Sequence, residues 1–110
     1  ILEILYLKKC YSFVSVIKFL GKTDGYNSFG IKGYTLVFDF PMYKNILSTL
    51  KKITKIIIKL NGRIYLCKDS VINSKDFKNM QTGFNDVEFK KIRKIKKKYF
   101  ESEQSNRLNI

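Results

Sequence analysis

The chain has 110 residues, of which 22 are Lys or Arg and 9 are Asp or Glu, so its formal net charge is +13. This length suits one domain with a modest core. The chain contains no histidine, which excludes Ser-His-Asp and Cys-His catalysis. Lysines interrupt each apolar stretch before the roughly 18 residues that a membrane-spanning helix needs.

The positive charge allows two interpretations. Clustered lysines neutralise phosphates, so a small basic nucleic-acid-binding module is one candidate function. However, the chain has 19 lysines and only 3 arginines, and arginine is the residue that recognises bases and phosphates with two parallel hydrogen bonds. We therefore expect solvated lysine faces rather than a nucleic-acid partner, and keep the nucleic-acid module as the alternative.

The two cysteines, Cys10 and Cys67, lie in apolar runs and lack C-x-x-C spacing. Without histidine, a zinc site would need two thiols and carboxylates, so no metal site is expected. Both cysteines are predicted to be small buried hydrophobes in a reducing compartment.

Two strands are predicted in the first part of the chain. Residues 11–20 are rich in β-branched and aromatic side chains, which favours a strand. Residues 22–32 carry glycines and short polar side chains and form a predicted loop. Residues 34–40 form the second predicted strand, in which Thr35, Val37 and Asp39 share one face and the alternate residues share the other.

Helices and a third strand are predicted next. Apolar residues at three- and four-residue steps predict a helix over residues 44–60, with Asn61-Gly62 as its left-handed stop. Residues 63–68 are predicted to form a strand. Asn73 followed by Asp76 indicates an N-cap, which opens a short helix that reaches Met80.

The last part of the chain contains a basic amphipathic pattern over residues 85–100 and a tail, residues 101–110, with little periodicity. The order of elements predicts an α+β fold, a small sheet with flanking helices over residues 1–110 as one unit. The helix after the second strand predicts a parallel or next-but-one placement of the third. Three strands cannot cover both faces of a sheet, so further strands are expected upstream.

Four phrases in fixed order suggest a family. They are S-V-I-K-F-L-G (15–21), G-Y-T-L-V-F-D-F-P (33–41), N-G-R-I-Y-L-C-K-D-S (61–70) and F-E-S-E-Q-S-N-R-L (100–108). Together they resemble the C-terminal segment of FAD-linked oxidases of the vanillyl-alcohol-oxidase type. Within that family the decaprenylphosphoryl-β-D-ribose 2′-oxidases are most similar, and the D-arabinono-1,4-lactone oxidases are more distant. The resemblance implies the C-terminal part of a substrate-binding cap domain, which returns to an FAD domain encoded upstream.

The resemblance also implies roles for five residues. Lys18 would face the substrate pocket, and Thr35 and Val37 would line its floor as substrate-binding residues. Tyr65 and Lys68 would bind the flavin ring, with Lys68 as the catalytic cation. In a regular strand Tyr65 and Lys68 would lie on opposite faces, so both reach the ring only if the strand bends or ends at Cys67.

Plainer interpretations fit the same residues by spacing alone. They are a solvent-exposed strand lysine at Lys18, a half-buried strand aromatic at Tyr65, and a surface ion pair between Lys68 and Asp69.

The implied function is the oxidation of a secondary alcohol of a sugar, a sugar lactone or a lipid-linked phosphosugar, with FAD as the cofactor. The chain contains no glycine-rich nucleotide cradle, so we expect it to be inactive alone. The expected location is the cytoplasm or the periphery of the inner membrane. There, the basic pattern of residues 85–100 would allow contact with anionic lipid.

Overall fold

The computed structural model describes residues 1–21, 30–80, 91, 94–96 and 100–109. Its elements are α1 (Leu2–Leu7), β1 (Val14–Leu20), β2 (Gly33–Asp39), α2 (Ile46–Lys59), a 3₁₀ turn (Leu66–Lys68), α3 (Ser74–Met80) and α4 (Glu103–Leu108). Two antiparallel strands accompanied by helices confirm the predicted α+β class. The cap-domain context stays a prediction.

The two strands form a hairpin in which each residue lies opposite a defined partner. Lys18 is paired with Thr35, Val16 with Val37, and Phe19 with Tyr34. Because opposed residues of an antiparallel pair share a face, the hairpin has two distinct faces. The lysine face consists of Val14, Val16, Lys18, Leu20, Gly33, Thr35, Val37 and Asp39. The aromatic face consists of Ser15, Ile17, Phe19, Tyr34, Leu36 and Phe38.

The aromatic face is largely open to solvent. Phe19 and Tyr34 meet edge to face with ring centroids 5.4 Å apart, and both side chains are exposed. In the described part of the chain, this face is covered at the end near Phe38, since the Phe38 ring stacks on Phe40 with centroids 5.7 Å apart and packs against the core.

The observed bounds of helix α2 lie within two residues of those that its apolar spacing predicts. Its end is the predicted left-handed stop, because Asn61 has φ 57°. The Asn61 and Gly62 N–H groups donate to the Ile58 and Ile57 carbonyls at 3.0 and 2.8 Å, which is the double hydrogen bond of a Schellman motif. A Cβ on Gly62 would lie 2.7 Å from Cγ2 of Ile57, so this close approach requires glycine.

Within the described residues, the core consists of two clusters of buried side chains. The first contains Leu5, Cys10, Ile46 and Ile53, and the second contains Ile72, Phe77, Met80 and Leu108. Helix α2 contacts both clusters, because Ile57 packs against the first cluster and Ile58 packs against the second. Helix α1, which the sequence reasoning missed, contributes Leu5 to the first cluster.

The predicted third strand is wrong. After Gly62 the chain has no regular structure until the 3₁₀ turn at Leu66–Lys68. Ile64 and Leu66 pack against the second cluster, and the Ile64 N–H lies 2.9 Å from Sδ of Met80 instead of entering a β-ladder. The expected parallel crossover is therefore absent from the described part of the chain.

The C-terminal tail also differs from the prediction, since residues 103–108 form α4. Ser102 caps this helix: its Oγ accepts from the Ser105 N–H at 3.1 Å, while Ser105 Oγ accepts from the Ser102 N–H at 2.9 Å. Most of the predicted basic helix at 85–100 lies outside the described residues. Among the described helices, none has the length and apolar content to cross a membrane.

Candidate functional site

The 3₁₀ turn at Leu66–Lys68 joins Lys68 to Tyr65 by a backbone hydrogen bond. Tyr65 precedes the turn in an extended conformation, and its carbonyl accepts from the Lys68 N–H at 3.2 Å. Both side chains are exposed. The predicted strand is wrong here, because the extended segment ends at Tyr65 and the 3₁₀ turn follows directly.

The phenol of Tyr65 interacts with the middle residue of the turn. A hydrogen bond with the Cys67 side chain, reinforced by the charge of the Cys67 thiolate, raises the pKa of Tyr65. Because a free tyrosine is already neutral at neutral pH, this shift alters the titration of Tyr65 only at alkaline pH. The prediction that both cysteines are buried is correct for Cys10 and wrong for Cys67, because Cys67 lies in a surface turn rather than on the inner face of a strand.

Asp69, directly after the turn, is the centre of a buried polar network. Its Oδ1 accepts from the Val71 and Ile72 N–H groups at 2.9 and 3.2 Å. Its Oδ2 lies 3.0 Å from Nη1 of Arg107, and the Asp69 side chain is only 5% exposed. The ion pair seen at Asp69 is thus with Arg107 of α4, and the interpretation as a surface pair with Lys68 is wrong.

Further hydrogen bonds join α4 to the same segment. Arg107 donates to the Asp69 carbonyl at 3.1 Å and to the Ile72 carbonyl at 2.5 Å, and the Gln104 amide donates to the Leu66 carbonyl. Residues 38 positions apart along the chain are connected in this way. The sequence reasoning missed this network; the signal that could have suggested it is that Asp69 and Arg107 are the next-to-last residues of the third and fourth phrases.

The three candidate substrate residues lie together on the lysine face of the hairpin. Lys18 is directly opposite Thr35, and Val37 follows two residues later opposite Val16. Opposed Cβ atoms in such a pair are about 5 Å apart. Lys18 is exposed, whereas Thr35 and Val37 are half-buried. This arrangement brings an ammonium next to a hydroxyl and an apolar side chain, while the plainer view of Lys18 as a solvated strand lysine fits as well.

These two sets of side chains offer different chemistry. Lys18 and Thr35 can neutralise an anion and bind a hydroxyl group, and the turn carries an exposed cation at Lys68 and an exposed phenol at Tyr65. Within the described ranges no three His, Cys, Asp or Glu side chains converge as a metal site would require. A groove of about 190 Å³ between α1 and the start of β1, lined by Leu2, Tyr6, Cys10 and Phe38 among others, contains none of the candidate residues.

A scan against protein-family models and a search among curated proteins both find no match for this chain. The resemblance therefore stays a prediction that depends on the four phrases. The structure adds that the third and fourth phrases contact each other through Asp69 and Arg107.

Proposed function

We propose that the chain forms the C-terminal part of an FAD-dependent oxidoreductase, which oxidises a secondary alcohol of a sugar, a sugar lactone or a lipid-linked phosphosugar. The observation that carries the proposal is the 3₁₀ turn, which follows the extended Tyr65 directly and leaves the Tyr65 and Lys68 side chains exposed three residues apart. The resemblance supplies the identity of their partner group, and the geometry supplies side chains suited to it.

The donor set at the turn fits the electron-rich edge of a flavin ring. FAD, when bound, would supply the hydride acceptor for the carbinol carbon of the substrate. The ammonium of Lys68 would stabilise the negative charge that develops at this edge during reduction. The phenol of Tyr65 is neutral at neutral pH, so it would add no negative charge there. The proton of the substrate hydroxyl would pass to a base elsewhere in the enzyme, because the ammonium of Lys68 has no lone pair to accept it.

On the substrate side, Lys18 and Thr35 would bind polar groups. An ammonium neutralises a phosphate as a point charge, and a neighbouring hydroxyl can orient a sugar oxygen. Val37, half-buried on the same face, would pack against the apolar side of the sugar ring. The three cross-strand neighbours can contact one ligand because the pairing register places them together.

The test uses the complete open reading frame that encodes this chain. The purified protein should contain flavin, and stopped-flow mixing with sugar substrates should reduce it. Lys68→Met should slow flavin reduction roughly a hundredfold and lower the reduction potential, because the cation stabilises reduced flavin more than oxidised flavin. Lys18→Met should raise KM for a phosphorylated substrate and leave the potential unchanged. Lys59→Met, an exposed lysine at the end of α2, is the matched control.

Two results would contradict the proposal: a full-length protein without flavin, or flavin reduction that is equally fast in Lys68→Met and in the control.

The nucleic-acid module is the second candidate, because α2 exposes Lys51, Lys55 and Lys59 at four-residue spacing. It predicts binding to oligonucleotides that weakens steeply as salt is added. A flat titration at low salt would eliminate that candidate.

A further inference from the structure

Side chains of α4 donate hydrogen bonds at both ends of the 3₁₀ turn Leu66–Lys68, which follows Tyr65. Gln104 donates to the carbonyl of Leu66, the first residue of the turn. Arg107 donates to the carboxylate and to the carbonyl of Asp69, the residue directly after the turn, and to the carbonyl of Ile72. Side chains of α4 therefore help to fix the position of the turn.

Helix α4 is itself held firmly enough to act as a support. Leu108, next to Arg107, is fully buried in the second core cluster together with Ile72. The reciprocal hydrogen bonds of Ser102 and Ser105 fix the start of the helix. The donors of Arg107 and Gln104 consequently come from an element with fixed position rather than from a loose tail.

Apart from the hydrogen bonds from α4, the turn is held by Leu66, which packs against the second cluster, and by long internal hydrogen bonds. These run from the Lys68 and Asp69 N–H groups to the carbonyls of Tyr65 and Leu66 and measure 3.2 and 3.3 Å, at the long end of the usual range. Cys67 and Lys68 are exposed. A single 3₁₀ turn is a weak element by itself.

We infer that Arg107 and Gln104 are positioning residues, which fix where Tyr65 and Lys68 point. The chemical role of this placement rests on the proposed function, but the placement can be tested without it. An arginine is required because its planar guanidinium reaches three oxygens at once, and a lysine ammonium would not reproduce that fork.

The first test measures hydrogen exchange of the Lys68 and Asp69 amides by NMR in the chain as it stands. Arg107→Gln and Gln104→Ala should both speed exchange at these two amides about tenfold, because the turn opens more often. The Ile53 amide in α2 serves as the internal reference and should not change. Lys59→Gln removes one positive charge from an exposed site and should leave the turn amides as they were.

Far-UV circular dichroism shows whether each variant is folded. If Arg107→Gln unfolds the chain, the exchange of the Lys68 and Asp69 amides in Gln104→Ala tests the inference instead, because this variant loses one hydrogen bond and no charge. Unchanged exchange at Lys68 and Asp69 in a folded variant would overturn the inference.

The second test uses the flavin-containing full-length protein. Arg107→Gln should slow flavin reduction with KM unchanged, and Arg107→Lys should not restore the rate. In a Lys68→Met background, Arg107→Gln should add nothing further, because it acts through Lys68. Equal slowing in both backgrounds would indicate general destabilisation and refute the positioning role. If the full-length protein holds no flavin, the proposed function fails, whereas the exchange experiment still decides the inference.

Discussion

Replacing Asp69 by Asn tests how much the buried network at α4 stabilises the fold. The Asn carbonyl can still accept from the Val71 and Ile72 N–H groups, but its NH₂ group then faces the Arg107 guanidinium, donor against donor. A lost hydrogen bond to a charged group costs about 1.5–3 kcal/mol, and breaking a fully buried pair costs about 3–5 kcal/mol. The Arg107 side chain is 29% exposed and keeps its two carbonyl acceptors. We therefore expect a loss of about 2 kcal/mol.

Urea unfolding followed by circular dichroism measures this change. The midpoint should fall while the slope with denaturant stays constant, because the surface exposed on unfolding is the same. Asp39→Asn, which changes an exposed residue on β2, is the matched control and should shift stability by less than about 0.5 kcal/mol. If Asp69→Asn is as stable as this control, the ion pair with Arg107 does not stabilise the chain, and the account of α4 as a support is refuted.

Two further predictions concern the core and the turn. Leu108→Ala should cost about 2–4 kcal/mol, because the side chain is fully buried and its removal leaves a cavity. Leu7→Ala, at an exposed site, should be nearly neutral in the same urea assay, and similar losses at both sites would contradict the assignment of the second cluster. Cys67→Ala should lower the pKa of Tyr65 toward that of a free tyrosine, as measured by an NMR titration of labelled tyrosine, and an unchanged pKa would contradict the Tyr65–Cys67 contact. Because that pKa is raised in the folded state, the contact stabilises the fold below the ordinary tyrosine range, and this contribution is lost as pH rises through the raised value.

Local signals in the sequence predicted several elements correctly. The apolar spacing of α2, the stop at Asn61-Gly62 and the two strands of the hairpin are all observed. The N-cap at Asn73 is also confirmed, since its Oδ1 accepts from the Asp76 N–H at 2.9 Å. Each of these features depends on residues within a few positions of one another, so a single sequence contains the information.

Features that depend on distant contacts were not predictable in this way. Ile64, Tyr65 and Leu66 have strand-forming side chains, but Ile64 and Leu66 pack against helices of the second cluster, and this packing overrides their β-propensity. The pairing of Asp69 with Arg107 spans 38 positions, and no spacing rule relates two such residues. The cross-strand neighbourhood of Lys18, Thr35 and Val37 likewise required the register of the hairpin, which strand patterns alone do not give.

The shared role of α2 has a consequence for how the protein melts. Because Ile57 and Ile58 of one helix pack against different clusters, displacement of α2 removes packing from both clusters at once. Thermal unfolding should therefore be a single cooperative transition, with equal calorimetric and van't Hoff enthalpies. Among the described residues, Phe38 is the hairpin side chain that packs against the first cluster, whereas Phe19 and Tyr34 are exposed. We therefore expect the end of the hairpin that carries Phe19 and Tyr34 to open without disturbing the helices.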